Sequence, residues 1–185
     1  VKTSLFHLPE FLKQNHYDSS FFGLGFIQIK VNEKERYHFY HPELESIMPD
    51  EEGHNHRYDF RSYVLKGCLR QEIYSVYPNE VDPVWNVLSV SCDVDNQAPD
   101  DAKGCNASLA LLTDTYAGSD YEILKDTFHK VLPTREPTVT FLRRASVVKD
   151  FAQVVRHKDA PDVCPFSPKM SKEEMWTWVE LICLE

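Results

Sequence analysis

Three histidines are the residues here best suited to chemistry. His54 and His56 stand two apart in the segment Gly53-His54-Asn55-His56-Arg57-Tyr58-Asp59-Phe60. On an extended strand, residues i and i+2 point to one face with Cα atoms about 6.5 Å apart, a gap that two imidazoles can close onto one ion. A third histidine, His129, lies in Thr127-Phe128-His129-Lys130-Val131, itself strand-like. Antiparallel barrels bring such remote strands together, so this ring can complete a facial set of three nitrogens. Such a set suits one metal ion shielded from bulk water. The plain alternative leaves the pair exposed on a strand edge and His129 at the surface beside Lys130.

The elements that must position these rings read mostly as strands. Phe22, Leu24 and Phe26 alternate with Gly23, Gly25 and Ile27, which predicts one strand after a short helix over about 8–16 that Pro9 opens. Further strands are expected at Arg36 to Tyr40, His54 to Leu65, Leu69 to Tyr77, Val84 to Val90, Leu109 to Thr115, Tyr121 to Leu124, His129 to Leu132 and Val139 to Leu142. Lys66-Gly67 supplies a turn. The acidic stretch Asp93 to Gly104 reads as an exposed loop, without the spacing of an EF-hand calcium site. Ser171 and Glu174 stand at capping-box spacing ahead of Met175, Trp178, Val179 and Ile182, predicting a helix over about 171–183. Many short strands with helices only at the ends imply a mainly β antiparallel sandwich or barrel.

Bulk properties narrow the function classes. The 185 residues suffice for one domain, 1–185, and 42% hydrophobic with 26% charged residues is ordinary globular usage. Lys plus Arg number 20 against 29 Asp plus Glu, a formal net charge of −9 that argues against nucleic acid and anionic membranes as partners. No apolar run approaches the roughly 18 residues that span a bilayer. The opening Val1-Lys2-Thr3-Ser4 lacks the order of a signal peptide. Cys68, Cys92, Cys105, Cys164 and Cys183 are scattered and include no CxxC pair, so a reducing cytoplasm is the expected compartment.

The pattern His-x-His, glycine turn, later strand histidine resembles a cupin, and more closely the thiol dioxygenases of the cysteine dioxygenase type. Two segments carry the likeness: Gly67-Cys68-Leu69-Arg70-Gln71-Glu72, and the run from His129 through Glu136-Pro137-Thr138-Val139 to Leu142. It covers roughly residues 20 to 145. The resemblance implies a jelly-roll β-barrel with short N- and C-terminal helices, with iron held by His54, His56 and His129. It further implies oxidation of a small polar substrate, a thiol or an acid, by dioxygen bound alongside it on the metal, in a monomer or homodimer.

The departures shape the expected site. Where many cupins place a glutamate this chain has Phe60, so three histidines alone are expected, unless Asp59 or Glu72 reaches the metal from an irregular strand. Gln28 stands near the place of the family's carboxylate-gripping arginine. Leu142 and Arg144 fall near its late histidine and tyrosine, and no cysteine lies near Phe60 or Arg61. Gln28 and Phe60 are accordingly expected to face substrate, and Arg144 to grip its anionic group. His38, His41, Tyr58, Tyr63 and Tyr74 are further candidates for the pocket. Two other readings stand beside the oxygenase: a cupin-fold binding or regulatory module with a structural metal or none, and a zinc or manganese isomerase or hydrolase.

Overall fold

The computed structural model describes residues 5–44, 53–91, 98–160 and 170–185. A 3-10 turn at Leu5–His7 leads into α1 (Leu8–Gln14), where Pro9 sits in the first turn as expected. Twelve strands follow: β1 (Asp18–Phe22), β2 (Phe26–Lys30), β3 (Glu35–Tyr40), β4 (Gly53–His54), β5 (Phe60–Lys66), β6 (Cys68–Pro78), β7 (Trp85–Val90), β8 (Lys103–Tyr116), β9 (Asp120–Ile123), β10 (Phe128–Val131), β11 (Thr138–Arg144) and β12 (Ala152–His157). The chain ends in α2 (Lys172–Leu184). The protein is mainly β, as its alternating pattern predicts.

Two antiparallel layers form. One is a six-stranded sheet in the order β1-β2-β3-β11-β5-β9, and the other closes as a barrel in the order β10-β4-β12-β7-β8-β6. β12 lies beyond the expected limit of the barrel near residue 145, and its pairs with β4 and β7 help to close the ring.

Two strand expectations need correcting, and both corrections have local causes. The expected strand through Phe22 to Ile27 is a hairpin: the chain turns at residues 23–25, with Gly25 at φ 83° and its N–H bonded to the Phe22 carbonyl at 2.9 Å. Positive φ is open to glycine at little cost, so a Gly-Leu-Gly run turns where apolar alternation alone suggests continuation. The expected strand over His54 to Leu65 is broken at 55–59. Asn55, almost wholly buried, binds Gln153 three times over: its N–H donates to the Gln153 carbonyl, its Oδ1 accepts from the Gln153 N–H, and its Nδ2 donates to the Gln153 side chain. A buried amide held this way satisfies its own polar groups and bends the chain off the β4 line. In the acidic stretch, residues 93–97 lie outside the described part of the chain, and the last two residues of the expected loop, Lys103 and Gly104, already belong to β8.

The principal core lies between the six-stranded sheet and the two helices. Outward-facing Ile27, Ile29, Phe39 and Val139 meet Leu8 and Leu12 of α1 and Met175, Val179 and Ile182 of α2, all buried. Ser171 caps α2, its Oγ accepting from Glu174 N–H at 3.1 Å, and Lys13 pairs with Glu180 to tie the two helices. The opposite face of the same sheet looks toward the barrel. Cross-strand partners share a face, so Gln28, His38 and Thr140 form one row across β2, β3 and β11 on that side. No helix among the described residues is long and apolar enough to cross a membrane.

The β5–β6 turn is tightly specified. Gly67 has φ 72°, and an added Cβ would lie 2.4 Å from Thr138 Oγ1 and 2.5 Å from the Pro137 carbonyl. Gly118 has a similar φ of 89° with nothing within 4 Å. Gly118→Ala should therefore cost only the backbone strain, about 1 kcal/mol, whereas Gly67→Ala adds overpacking and should cost about 2–4 kcal/mol. Urea unfolding midpoints of the two variants check the difference, and equal losses would contradict it.

Candidate metal centre

His54 and His129 meet because β4 and β10 pair with these two residues directly opposite one another. The same row continues through Val154 and Leu88, so β10, β4, β12 and β7 present His129, His54, Val154 and Leu88 side by side on one face. His56 lies just past β4, on the segment that Asn55 bends, and turns back toward the same point. The three ring centroids are 5.0 Å (His54–His56), 4.7 Å (His54–His129) and 5.1 Å (His56–His129) apart. One nitrogen from each ring falls within 4.8 Å of the others, and no carboxylate or thiol among the described residues joins the group. Asp59 instead accepts from the Lys125 N–H at 2.7 Å, and Glu72 pairs in register with Lys130 and accepts from the Tyr74 hydroxyl. The three histidines lie together where they could hold a metal ion, and neither acid joins them.

One ring is oriented by a buried amide, and burial disfavours protonation of two. His129 is 3% exposed, and its Nδ1 lies 3.0 Å from Gln71 Oε1. With that oxygen as acceptor the proton sits on Nδ1, and Nε2 presents a bare lone pair to the cavity. His129 Nε2 lies 2.9 Å from His56 Nε2. Burial, and then the neighbouring His54, hold His129 well below the ordinary histidine value of 6.5. For His56 burial again leads, followed by His54, His129, Arg36 and His38. Neutral imidazoles converging in a cavity are the form that binds a cation. The donor set fits a divalent metal ion; it does not fix which one.

A cavity of about 1310 Å³ opens onto the rings. Phe60 is buried and meets His56 edge-on at 4.9 Å and 90°, while Tyr58 stacks on His56 at 5.7 Å. Gln28, 4% exposed, lines the cavity, and its Oε1 accepts from Arg36 Nη1 at 3.1 Å and lies 3.3 Å from His38 Nε2. Arg144 also lines it, with its guanidinium 4.9 Å from the Tyr58 ring, although its N–H groups donate to the Glu33 and Ala145 carbonyls. Gln28, Phe60 and Arg144 thus all reach the cavity, as does Leu142. Tyr58 and Tyr121 line it, whereas Tyr63 and Tyr74 do not. Burial raises the Tyr121 phenol to about 12. His38 faces the cavity from β3, and His41 instead lies against Trp178 and Glu185 at the end of α2.

Two participants were hidden from sequence reasoning: Arg36 lies on a strand read only as aromatic, and Gln71 lies 58 residues from the ring it orients. His38 was in view as a candidate for the pocket, and it lines the cavity. The signal for all three is parity: each is an even number of residues from a position whose inward direction is fixed, namely Tyr40 on β3 and Leu69 on β6, both buried.

Two measurements follow from this geometry. His129→Ala is expected to lose most bound metal while the circular dichroism spectrum stays β-rich, and Gln71→Leu to weaken metal binding by about 10–100-fold. Equal metal content by elemental analysis in wild type and His129→Ala would remove His129 from the centre. Burial, then the Arg36 charge, hold His38 down to about 3. The unfolded chain therefore takes up this proton near the ordinary 6.5, the folded chain only near 3, and stability falls as pH drops between those values. In metal-free protein the wild-type slope of unfolding free energy against pH should exceed that of His38→Gln by up to about 1.4 kcal/mol per unit. Parallel slopes would show that His38 titrates normally.

Comparison with known proteins adds no family. No family model matches the chain, and no curated protein does. Among solved structures, a crystal structure of Drosophila melanogaster CENP-C bound to CAL1 is similar over 77% of this chain and 94% of that one, at 12% identity and a TM-score of 0.43. A likeness that shallow supports no argument about fold family or function.

Proposed function

We propose that the chain is a cupin-type metalloprotein that binds iron(II) through His54, His56 and His129 and oxidises a small thiol or acid with dioxygen. The observation that carries the reading is the convergence of three imidazoles, with no carboxylate among the described residues beside them, on a cavity wide enough for substrate. Three neutral ligands leave a divalent ion its full charge, which favours an anionic substrate group beside it.

Iron(II) would supply adjacent coordination positions for substrate and dioxygen, so that oxidation proceeds within one coordination sphere. The protein's own part is orientation and exclusion of water. Gln71 fixes the His129 ring, Phe60 and Tyr58 brace His56, and Leu142 and Phe60 form an apolar cluster with Ile123 beside the centre. For a thiol, the balanced reaction adds both oxygen atoms to sulfur, RSH + O2 → RSO2H, so sulfur loses four electrons and dioxygen gains four.

Protein loaded anaerobically with iron(II) and mixed with a panel of small thiols and thiol acids is expected to consume oxygen, one molecule per thiol oxidised, and His54→Ala to abolish the uptake. An oxygen electrode reading at background across the whole panel, in protein shown to hold iron, would overturn the oxygenase. It would leave the binding module or the redox-inactive zinc or manganese enzyme.

A further inference from the structure

One seam of the barrel leaves most of a strand edge open. β7 meets β8 only where Trp85, Asn86 and Val87 pair with Cys105, Gly104 and Lys103. β8 then runs on to Tyr116 with β6 along one side, from the Cys105–Pro78 pair to the Tyr116–Cys68 pair. On its other side, no strand among the described residues pairs with β8 beyond Cys105. Alternate residues over 106–115 therefore turn an N–H and a C=O outward along about 34 Å of edge. Ser108 to Leu112 are all exposed, with Leu109 at 53%, Leu111 at 55% and Leu112 at 48%.

Two features suit this edge to a second copy of itself. An antiparallel ladder is its own complement, because a two-fold axis offers each outward donor an identical strand's acceptor. The edge is also neutral, in a chain that is not. Residues 104–113 carry no Asp, Glu, Lys or Arg, whereas the whole chain has a formal net charge of −9. Asp114, the next residue, is held by Arg70 Nε and Nη2, both at 2.6 Å. Anionic chains repel one another over most of their surface, and a neutral stretch is where two copies approach most easily. A lysine or proline commonly guards a free edge, and 104–113 contains neither.

The bulge in β8 shapes the contact. Glu72 and Tyr74 share one face of β6, and their partners on β8 are Leu112 and Leu109. On a regular strand, residues three apart face opposite ways. The extra residue, Ala110, brings both leucines to the outer face of the barrel. A two-fold axis between Ala110 and Leu111 sets Leu109 of each copy against Leu112 of the other.

We infer that two copies of this chain join β8 to β8, antiparallel, in a symmetric dimer centred on Leu109 and Leu112. This goes beyond the proposed function and does not rest on it, since no β8 residue lines the cavity.

The test is light scattering after size-exclusion chromatography of the full chain, between about 0.1 and 100 μM. Wild type is expected at twice the mass of one chain at the upper end, and to dissociate on dilution. Amide hydrogen exchange locates the contact: a peptide covering 106–115 should slow as concentration rises, while peptides from β11 keep one rate. Leu109→Lys with Leu112→Lys should weaken the dimer at least tenfold, and Leu109→Glu with Leu112→Glu likewise. Mixed one to one, the two variants should recover an affinity within threefold of wild type, because unlike charges then face each other. Should either variant fail to fold by circular dichroism, the concentration-dependent exchange of wild type decides alone. A monomer at about 100 μM, exchange at 106–115 that ignores concentration, or charged variants that dimerise like wild type would each overturn the inference. So would larger aggregates in place of a dimer, or a mixture no more dimeric than its parts.

Discussion

The register of a two-residue strand governs the centre. β4 consists of Gly53 and His54 alone, yet it is paired on both sides, with His54 opposite His129 on β10 and opposite Val154 on β12. Because side chains alternate faces, a slip of one residue at either ladder would turn His54 away from the cavity and separate it from His129. So short a strand has little register information of its own. The three bonds between Asn55 and Gln153 supply it, fixing β4 against β12 from the next residue along. That amide pair also ends the strand, which frees His56 to turn inward rather than continue the pleat.

Electrostatics then works in one direction. His38, His56 and His129 sit close together under a guanidinium, and burial disfavours protonation of each. Repulsion among neighbouring positive charges adds to desolvation for His56. The outcome is a group of bases kept unprotonated without any acid to share a proton, which is the opposite of the carboxylate–histidine pairing common in hydrolytic sites. A cation is the partner that such a group accepts most readily, and the same cation would draw an anion toward the cavity.

Much of this was legible in the residues. Period-two alternation predicts nearly every strand, the capping spacing at Ser171 and Glu174 predicts α2, and the three histidines are found where the spacing and the resemblance placed them. Gln28 and Phe60, expected to face substrate, line the cavity. What could not be read was long-range parity. Arg36, beside Glu35 at the charged start of β3, has no evident inward direction until β2 and β11 are known to flank it, and only then does its face become the inside. The glycine turn at residues 23–25 was misjudged because apolar alternation and backbone freedom point to different structures, and alternation alone was weighed. β12 was missed since Gln153 and Arg156 interrupt its apolar residues.

The division of the six-stranded sheet between two environments has a wider consequence. Its helix-covered face is packed with Ile27, Ile29, Phe39 and Val139, while its other face, carrying Gln28, His38 and Arg36, belongs to the cavity. Folding stability and ligand chemistry therefore reside on opposite sides of the same strands, at alternating positions. Substitutions at even-numbered sites along β2 and β3 can re-line the pocket while the odd-numbered sites keep the scaffold standing, an architecture in which new specificities are reachable by single steps.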